Sequence, residues 1–293
     1  MTDAAHGTGT SPDLPVLHEE VLRYYARGEE DGRLRSGVGR LEFLRTQDLL
    51  RRLLPDSPAR ILDVGGGSGV HAKWLAEQDG HQVELIDPVP LHVEQAALLP
   101  GVTARLGDAR ALPLPDGCAD AVLLLGPLYH LTRRQQRVRA LAEARRVVRP
   151  GGPVIAATIN RFSALHDQLS QGAYFEPDER EFIDSVSGSG QHRRPGGGFC
   201  AYLHQPAEVP GEFAEAGLAA GGQYGVEGAV WLMPDVLTWL ADDDRRAVVL
   251  DALRRTESDP SLLGVSAHLL TVGAADAPGA ADAPGAPGGV AGS

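Results

Sequence analysis

Between Ala59 and Ile159, short apolar runs alternate with stretches of helical period, and this alternation leaves few folds open. "ARILDV" (59–64), "QVELID" (82–87), "VTARLG" (102–107), "DAVLLLG" (120–126) and "GPVIAATI" (152–159) have the length and branching of strands. "GVHAKWLAEQ" (69–78), "LHVEQAAL" (91–98) and residues 133–148 repeat apolar positions every three or four residues, which predicts helices between those strands. Parallel strands need such crossovers, so the pattern predicts an α/β fold with a parallel sheet and helices on both faces. The turn "RPGG" (149–152) ends the last of these helices.

The flanks read differently. Residues 1–14 are expected to be a mobile leader, and no basic region followed by an apolar run marks a secretory signal there. Residues 15–56 are expected to form a helical cap of two helices joined by "GEEDGRLRSGVG". The main domain is expected over 57–273, with an inserted lid at about 160–205 whose "SVSGSGQHRRPGGGF" reads as flexible and polar. A helix at 206–218, a weak strand near 219–227, a helical stretch from Pro234 to Arg255 and a strand at 267–273 complete it. The repeat of Ala-Asp-Ala-Pro-Gly in 274–293 predicts disorder.

Composition excludes several classes. No segment has the apolar length of a membrane span. A net charge of −12 argues against a nucleic-acid partner, which a basic stripe would have to hold. The arginines of "TRRQQRVRALAEARRVVR" (132–149) sit at helical spacing and read as a solvated face. Cys118 and Cys200 are too few for a disulfide framework and fit a cytoplasmic protein. Lys73, the single lysine, lies in the helix after a glycine loop, a poor place for Schiff-base chemistry. His166, His192, Tyr202 and His204 lie in or beside the lid, within reach of a substrate; the scattered histidines read as solvated and lack the spacing of a metal motif, so no metal is expected.

The loop itself, "LDVGGGSG" (62–69), is the chemical signal. A dinucleotide fingerprint wants G-x-G-x-x-G, but Gly65, Gly67 and Gly69 fall in the register G-x-G-x-G. Asp63 stands two residues before the first glycine, and a diphosphate beside that carboxylate would be repelled at short range. A cationic ligand without phosphate suits the loop better.

On these residues the chain resembles the class I S-adenosylmethionine-dependent methyltransferases. "LDVGGGSG" resembles the family's first motif, "ELIDPVPL" its ribose-binding strand end, "LGDARALPLPDGCADAVLLLGPLYHL" its adenine stretch and fourth strand, and "EARRVVRPGGPVIAATI" the following helix, turn and fifth strand. The likeness covers roughly 57–160 and implies a Rossmann-like, mostly parallel seven-stranded sheet. It implies S-adenosyl-L-methionine as cofactor, held by Asp63, Gly65, Gly66, Gly67 and Gly69, with Asp87 beside Pro88 accepting the ribose hydroxyls. Asp108 and the Ala109 N–H would meet the adenine, Leu125 would wall the site, and Tyr25 (or Tyr24) would reach the methionyl part from an N-terminal helix.

"GPLYHL" (126–131) is similar to a loop of bacterial small-molecule methyltransferases that passes near the reactive methyl. His130 is the candidate base, with a pKa expected near neutrality. Tyr129 would orient the acceptor or wall the methyl pocket. The partner implied is a small-molecule methyl acceptor at O, N or C. Two other readings stay open at this point: a catalytically silent donor-binding regulator, and a nicotinamide-dependent oxidoreductase.

Overall fold

A computed structural model describes Leu34, Gly37 and residues 39–194 and 198–275. The expected leader, the first of the two expected N-terminal helices with Tyr24 and Tyr25, and residues 276–293 lie outside the described residues.

Helix α1 (Gly39–Leu53) precedes β1 (Arg60–Val64), α2 (Val70–Glu77), β2 (Gln82–Asp87), α3 (Pro90–Ala96) and β3 (Val102–Leu106). Then come β4 (Ala121–Leu124), the one-turn α4 (Pro127–His130), α5 (Arg134–Val147) and β5 (Pro153–Ile159). The sheet has seven strands in the order β3-β2-β1-β4-β5-β9-β8, where β8 spans Leu218–Gly225 and β9 spans His268–Ala275. The pairs β1–β2, β1–β4, β2–β3 and β4–β5 are parallel, while β9 runs antiparallel to both β5 and β8. Chain direction therefore reverses only at β9, between two strands that share the common sense.

The period of two along the strands divides the core. Leu62, Val64, Val122, Leu124, Val154 and Ala156 pack with Leu141 and Val147 of α5 and with Phe213 of α8 (Val209–Glu215). Ile61, Ala121, Leu123 and Ile155 face the other way, onto Leu49 and Leu50 of α1 and Trp74 and Leu75 of α2. Both faces are covered, so the strands are apolar on both sides. Each fully buried branched side chain contributes roughly 1.5–3 kcal/mol to this arrangement.

Asp63 belongs by parity to the face of Ile61, within an otherwise apolar layer, and is 0% exposed.

The second half departs from expectation in four places. After α6 (Ser163–Ser170), the segment expected to be flexible instead closes α7 (Pro177–Ser189) and forms a hairpin, β6 (Gln191–Arg193) with β7 (Cys200–Tyr202). Gly190 ends α7 at φ +76, the left-handed conformation glycine tolerates, and sends the chain into β6. Pro234–Arg255 is not one stretch but α9 (Val236–Ala241) and α10 (Asp243–Thr256), split where Asp242 turns extended and its side chain accepts from the Arg245 N–H. β9 runs on to Ala275, so Ala274 and Ala275 pair in the sheet rather than joining the tail.

The arginine face is the fourth: Arg137 is 3% exposed and donates to Glu212 of α8 at 2.7 Å. Its guanidinium also lies 4.1 Å from the Tyr202 ring centroid, so this side chain bolts α5 to α8 instead of facing water. His204, expected in solvent, is likewise fully buried against Glu212.

Candidate active site

The carboxyl ends of β1, β2 and β4 open onto one cleft, as an open α/β sheet places its ligand crevice. It encloses about 1040 Å³ of empty space, open mouth included.

β1 hands directly into the glycine loop. Gly65, Gly67 and Gly69 take φ values of +69, +60 and +91, a run of turns that side chains would strain. Gly65 also lies against the start of α4, since a β-carbon there would stand 2.5 Å from Pro127 Cγ. Gly66 is held by sterics alone: its β-carbon would stand 2.6 Å from Asp63 Oδ2 and 2.7 Å from Leu85 Cδ1.

Beneath that loop the Asp63 carboxylate is buried, and neither oxygen has a hydrogen-bond partner among the described residues. Burial, and second the Asp87 charge, push its pKa up to about 7. A buried, unpartnered acid at the floor of a cleft is costly unless something cationic arrives to meet it.

Asp87 ends β2 and is fixed from three sides. Its Oδ2 accepts from Gly67 N–H at 2.9 Å, and its Oδ1 accepts from Val89 N–H at 2.9 Å and from His92 Nδ1 at 3.1 Å. The glycine loop and the β2 end are thus tied together through one carboxylate. Its remaining lone pairs line the cleft beside Pro88. Sequence reasoning missed His92, which is 3% exposed; its place in the first turn of α3, five residues after Asp87, was the available signal.

Asp108 and Ala109 line the same cleft. Asp108 is already paired: Arg110 donates to it from the backbone at 2.8 Å and from the side chain at 2.6 Å, and Arg110 is 2% exposed. The sequence reading did not see this partner, which sets the direction of the carboxylate.

Tyr129 and His130 sit on α4, a helical turn where a loop was expected, and both line the cleft, as does Leu125. His130 Nδ1 donates to the Cys200 carbonyl of the lid hairpin at 2.9 Å. Burial draws the His130 pKa down to about 4, outweighing that bond and the Asp87 charge. The expectation of a base poised near neutrality is therefore corrected: His130 is neutral at pH 7 and accepts hydrogen bonds better than it holds a proton.

Of the expected site residues that fall among the described ones, all but Gly69 line this cleft; a β-carbon on Gly69 would instead stand 2.5 Å from Leu99 Cδ1. Tyr25 lies outside the described residues.

A family model described as "Methyltransferase domain" matches residues 61–152, from β1 to the turn before β5. Over those residues the chain resembles a class I S-adenosylmethionine-dependent methyltransferase domain. An uncharacterized methyltransferase of Mycobacterium tuberculosis is 42% identical over 102 residues, 34% of this chain and 40% of that protein. A ubiquinone/menaquinone biosynthesis C-methyltransferase of Acidiphilium cryptum is 35% identical over 142 residues, 45% of this chain and 53% of the relative. The matches thus span about half or less of these relatives' lengths. In solved structures, an S-adenosylmethionine-dependent methyltransferase of Mesorhizobium loti aligns with a TM-score of 0.53 at 18% identity, covering 80% of this chain and 99% of that one. One from Methanosarcina mazei aligns at 0.53 and 17% identity, covering 78% and 97%. These structural likenesses speak for the fold.

The methyltransferase cofactor, S-adenosyl-L-methionine, fits the residues present. It carries an ammonium and a sulfonium and no phosphate, and the cleft floor offers an orphaned carboxylate under a loop whose glycines keep the backbone bare. The nicotinamide reading is overturned by the family match.

Proposed function

We propose that the chain transfers a methyl group from S-adenosyl-L-methionine to a small-molecule acceptor. The observation that carries this reading is the buried Asp63 carboxylate without a partner among the described residues, at the floor of a glycine-lined cleft.

When bound, the cofactor supplies an electrophilic methyl on sulfur. The chain's own residues do the rest. The Gly65–Gly69 backbone and Asp63 hold the methionyl end, and Asp87 accepts the ribose hydroxyls through charge-assisted bonds. Asp108 and the Ala109 N–H hold the adenine edge. Leu125 and Tyr129 exclude water from the transfer line, and positioning of this kind supplies a large part of the barrier reduction for an in-line displacement.

His130 orients the acceptor by accepting a hydrogen bond and is not the proton store. An acceptor that arrives deprotonated, or that loses its proton to water after transfer, suits such a site. The acidic lining of the cleft, with Glu42, Asp63, Asp87 and Asp108, supports a small acceptor over a nucleic acid, whose phosphates those groups would repel.

Incubation of the purified chain with methyl-labelled cofactor and fractionated cell extract tests the reading. Label is expected in a low-mass fraction; label in RNA or protein, or in nothing, overturns it.

A further inference from the structure

The sequence holds no local metal motif, yet the fold brings three ligating side chains together, one of which, Glu42, lines the cleft. Glu42 is in the first turn of α1, Glu227 follows β8, and His268 opens β9. One donor atom from each, a carboxylate oxygen from the two glutamates and Nδ1 of His268, lies within 4.8 Å of the other two. More than 180 residues separate Glu42 from Glu227 in the chain, so no spacing rule applied to the sequence could find the set.

The cluster is built rather than incidental. Glu227 is 1% exposed, and its Oε2 is fixed by the His268 backbone N–H at 2.9 Å and by the buried Ser266 hydroxyl at 3.0 Å. Those two bonds aim the other oxygen, Oε1, at His268 Nδ1, 2.6 Å away. Backbone and hydroxyl donors that orient a carboxylate in this way are the outer-shell support that ligating groups commonly have. Glu42 Oε2 stands 3.9 Å from the same Nδ1, and Glu42 also lines the cofactor cleft.

We propose that Glu42, Glu227 and His268 bind one divalent transition-metal ion beside the methyltransferase cleft, on the side that Glu42 lines. One imidazole and two carboxylates suit Mn²⁺ or Zn²⁺ better than Ca²⁺ or Mg²⁺, which take all-oxygen shells. Bonds of about 2.0–2.2 Å require donor atoms roughly 3–4 Å apart. Oε1 and Nδ1 would open by about half an ångström as the hydrogen between them leaves, and the Glu42 side chain would close by less than about 1 Å. Three protein ligands leave positions for water or an acceptor oxygen, as in open metal sites. This proposal stands apart from cofactor binding, which uses other residues.

The full chain, stripped with a chelator and dialysed, is titrated with MnCl₂ and with ZnCl₂ by calorimetry, and Mn²⁺ uptake is followed by electron paramagnetic resonance. One ion per chain is expected, with at least tenfold weaker binding in Glu227→Gln and in His268→Gln. Glu42→Gln, on the more accessible side chain, gives the same readout should Glu227→Gln fail to fold. S-adenosylhomocysteine binding in the same wild-type samples separates the two readings, because its retention without metal uptake sinks the ion site alone. No uptake by the wild type, or uptake unchanged in the variants, overturns the proposal.

Discussion

Gly66 lies so close over Asp63 that a β-carbon on it would stand 2.6 Å from the carboxylate Oδ2 and 2.7 Å from Cγ. The same β-carbon would stand 2.7 Å from Leu85 Cδ1, and both neighbours are buried, so neither can swing away. Gly66→Ala should therefore displace the acid and loosen the fold by about 1–3 kcal/mol, the usual cost of overpacking. Thermal unfolding reads the second effect, and calorimetry with S-adenosylhomocysteine should show at least a tenfold loss of affinity. An alanine variant that binds like the wild type would mean that Asp63 does not face the ligand.

Asp63 also makes a prediction about pH. Its pKa is raised to about 7 from an ordinary 3.8, so the native chain without ligand holds that proton up to neutrality. The associated stability is fully present below about pH 4 and is lost as pH rises through 7. Asp63→Asn should thus unfold at a higher temperature than the wild type at pH 8, by up to about 4 kcal/mol, and match it near pH 4. A variant no more stable than the wild type at pH 8 would contradict the burial argument.

Binding runs the opposite way with pH. A cationic ligand favours ionised Asp63, so affinity for S-adenosylmethionine should tighten as pH rises from 5.5 to 7, approaching tenfold per unit. Asp63→Asn should bind weakly with no such slope. A slope that persists in the variant would assign it to another group.

Asp87 holds Gly67, Val89 and His92 at once. Asp87→Ala should lower cofactor affinity at least tenfold and raise the mobility of the loop, seen as faster amide exchange at Gly67 and Val89. His92→Ala, which removes one of the three contacts, should cost less in both readouts.

Arg137 and Glu212 form a second buried pair, between α5 and α8. Burial pushes the Glu212 carboxyl up, but the His204 imidazole, with Nε2 3.5 Å from Oε2, and the hydrogen bonds from Arg137 outweigh it and hold the pKa at about 2. A lowered acid stabilises above its ordinary 4.5 and loses that contribution as pH falls toward 2. Glu212→Ala strands a buried guanidinium and should cost about 3–5 kcal/mol at pH 7, measured by denaturant unfolding.

The sheet was legible from Ala59 to Ile159 because its strands are apolar on both faces and its helices carry their own period. Asp63, Asp87, Asp108 and the glycines were legible too, since each falls at a strand end where chemistry and chain order coincide. What escaped depends on contacts distant in sequence. The pKa of His130 is set by burial under the lid hairpin and by the Cys200 carbonyl, 70 residues away. Arg137 reads as a surface residue until Glu212 is brought against it. The hairpin of β6 and β7 pairs strands of three residues each, too short for any alternation to announce them.

The central claim is that this cleft holds a sulfonium-bearing nucleoside over a buried acid. Calorimetry of the purified chain against S-adenosylmethionine, S-adenosylhomocysteine and NAD tests it most directly. Saturable heat is expected from the first two and none from NAD, with Asp63→Asn weakening S-adenosylmethionine the more of the two nucleosides. Heat from NAD alone, or from neither nucleoside, would contradict the account.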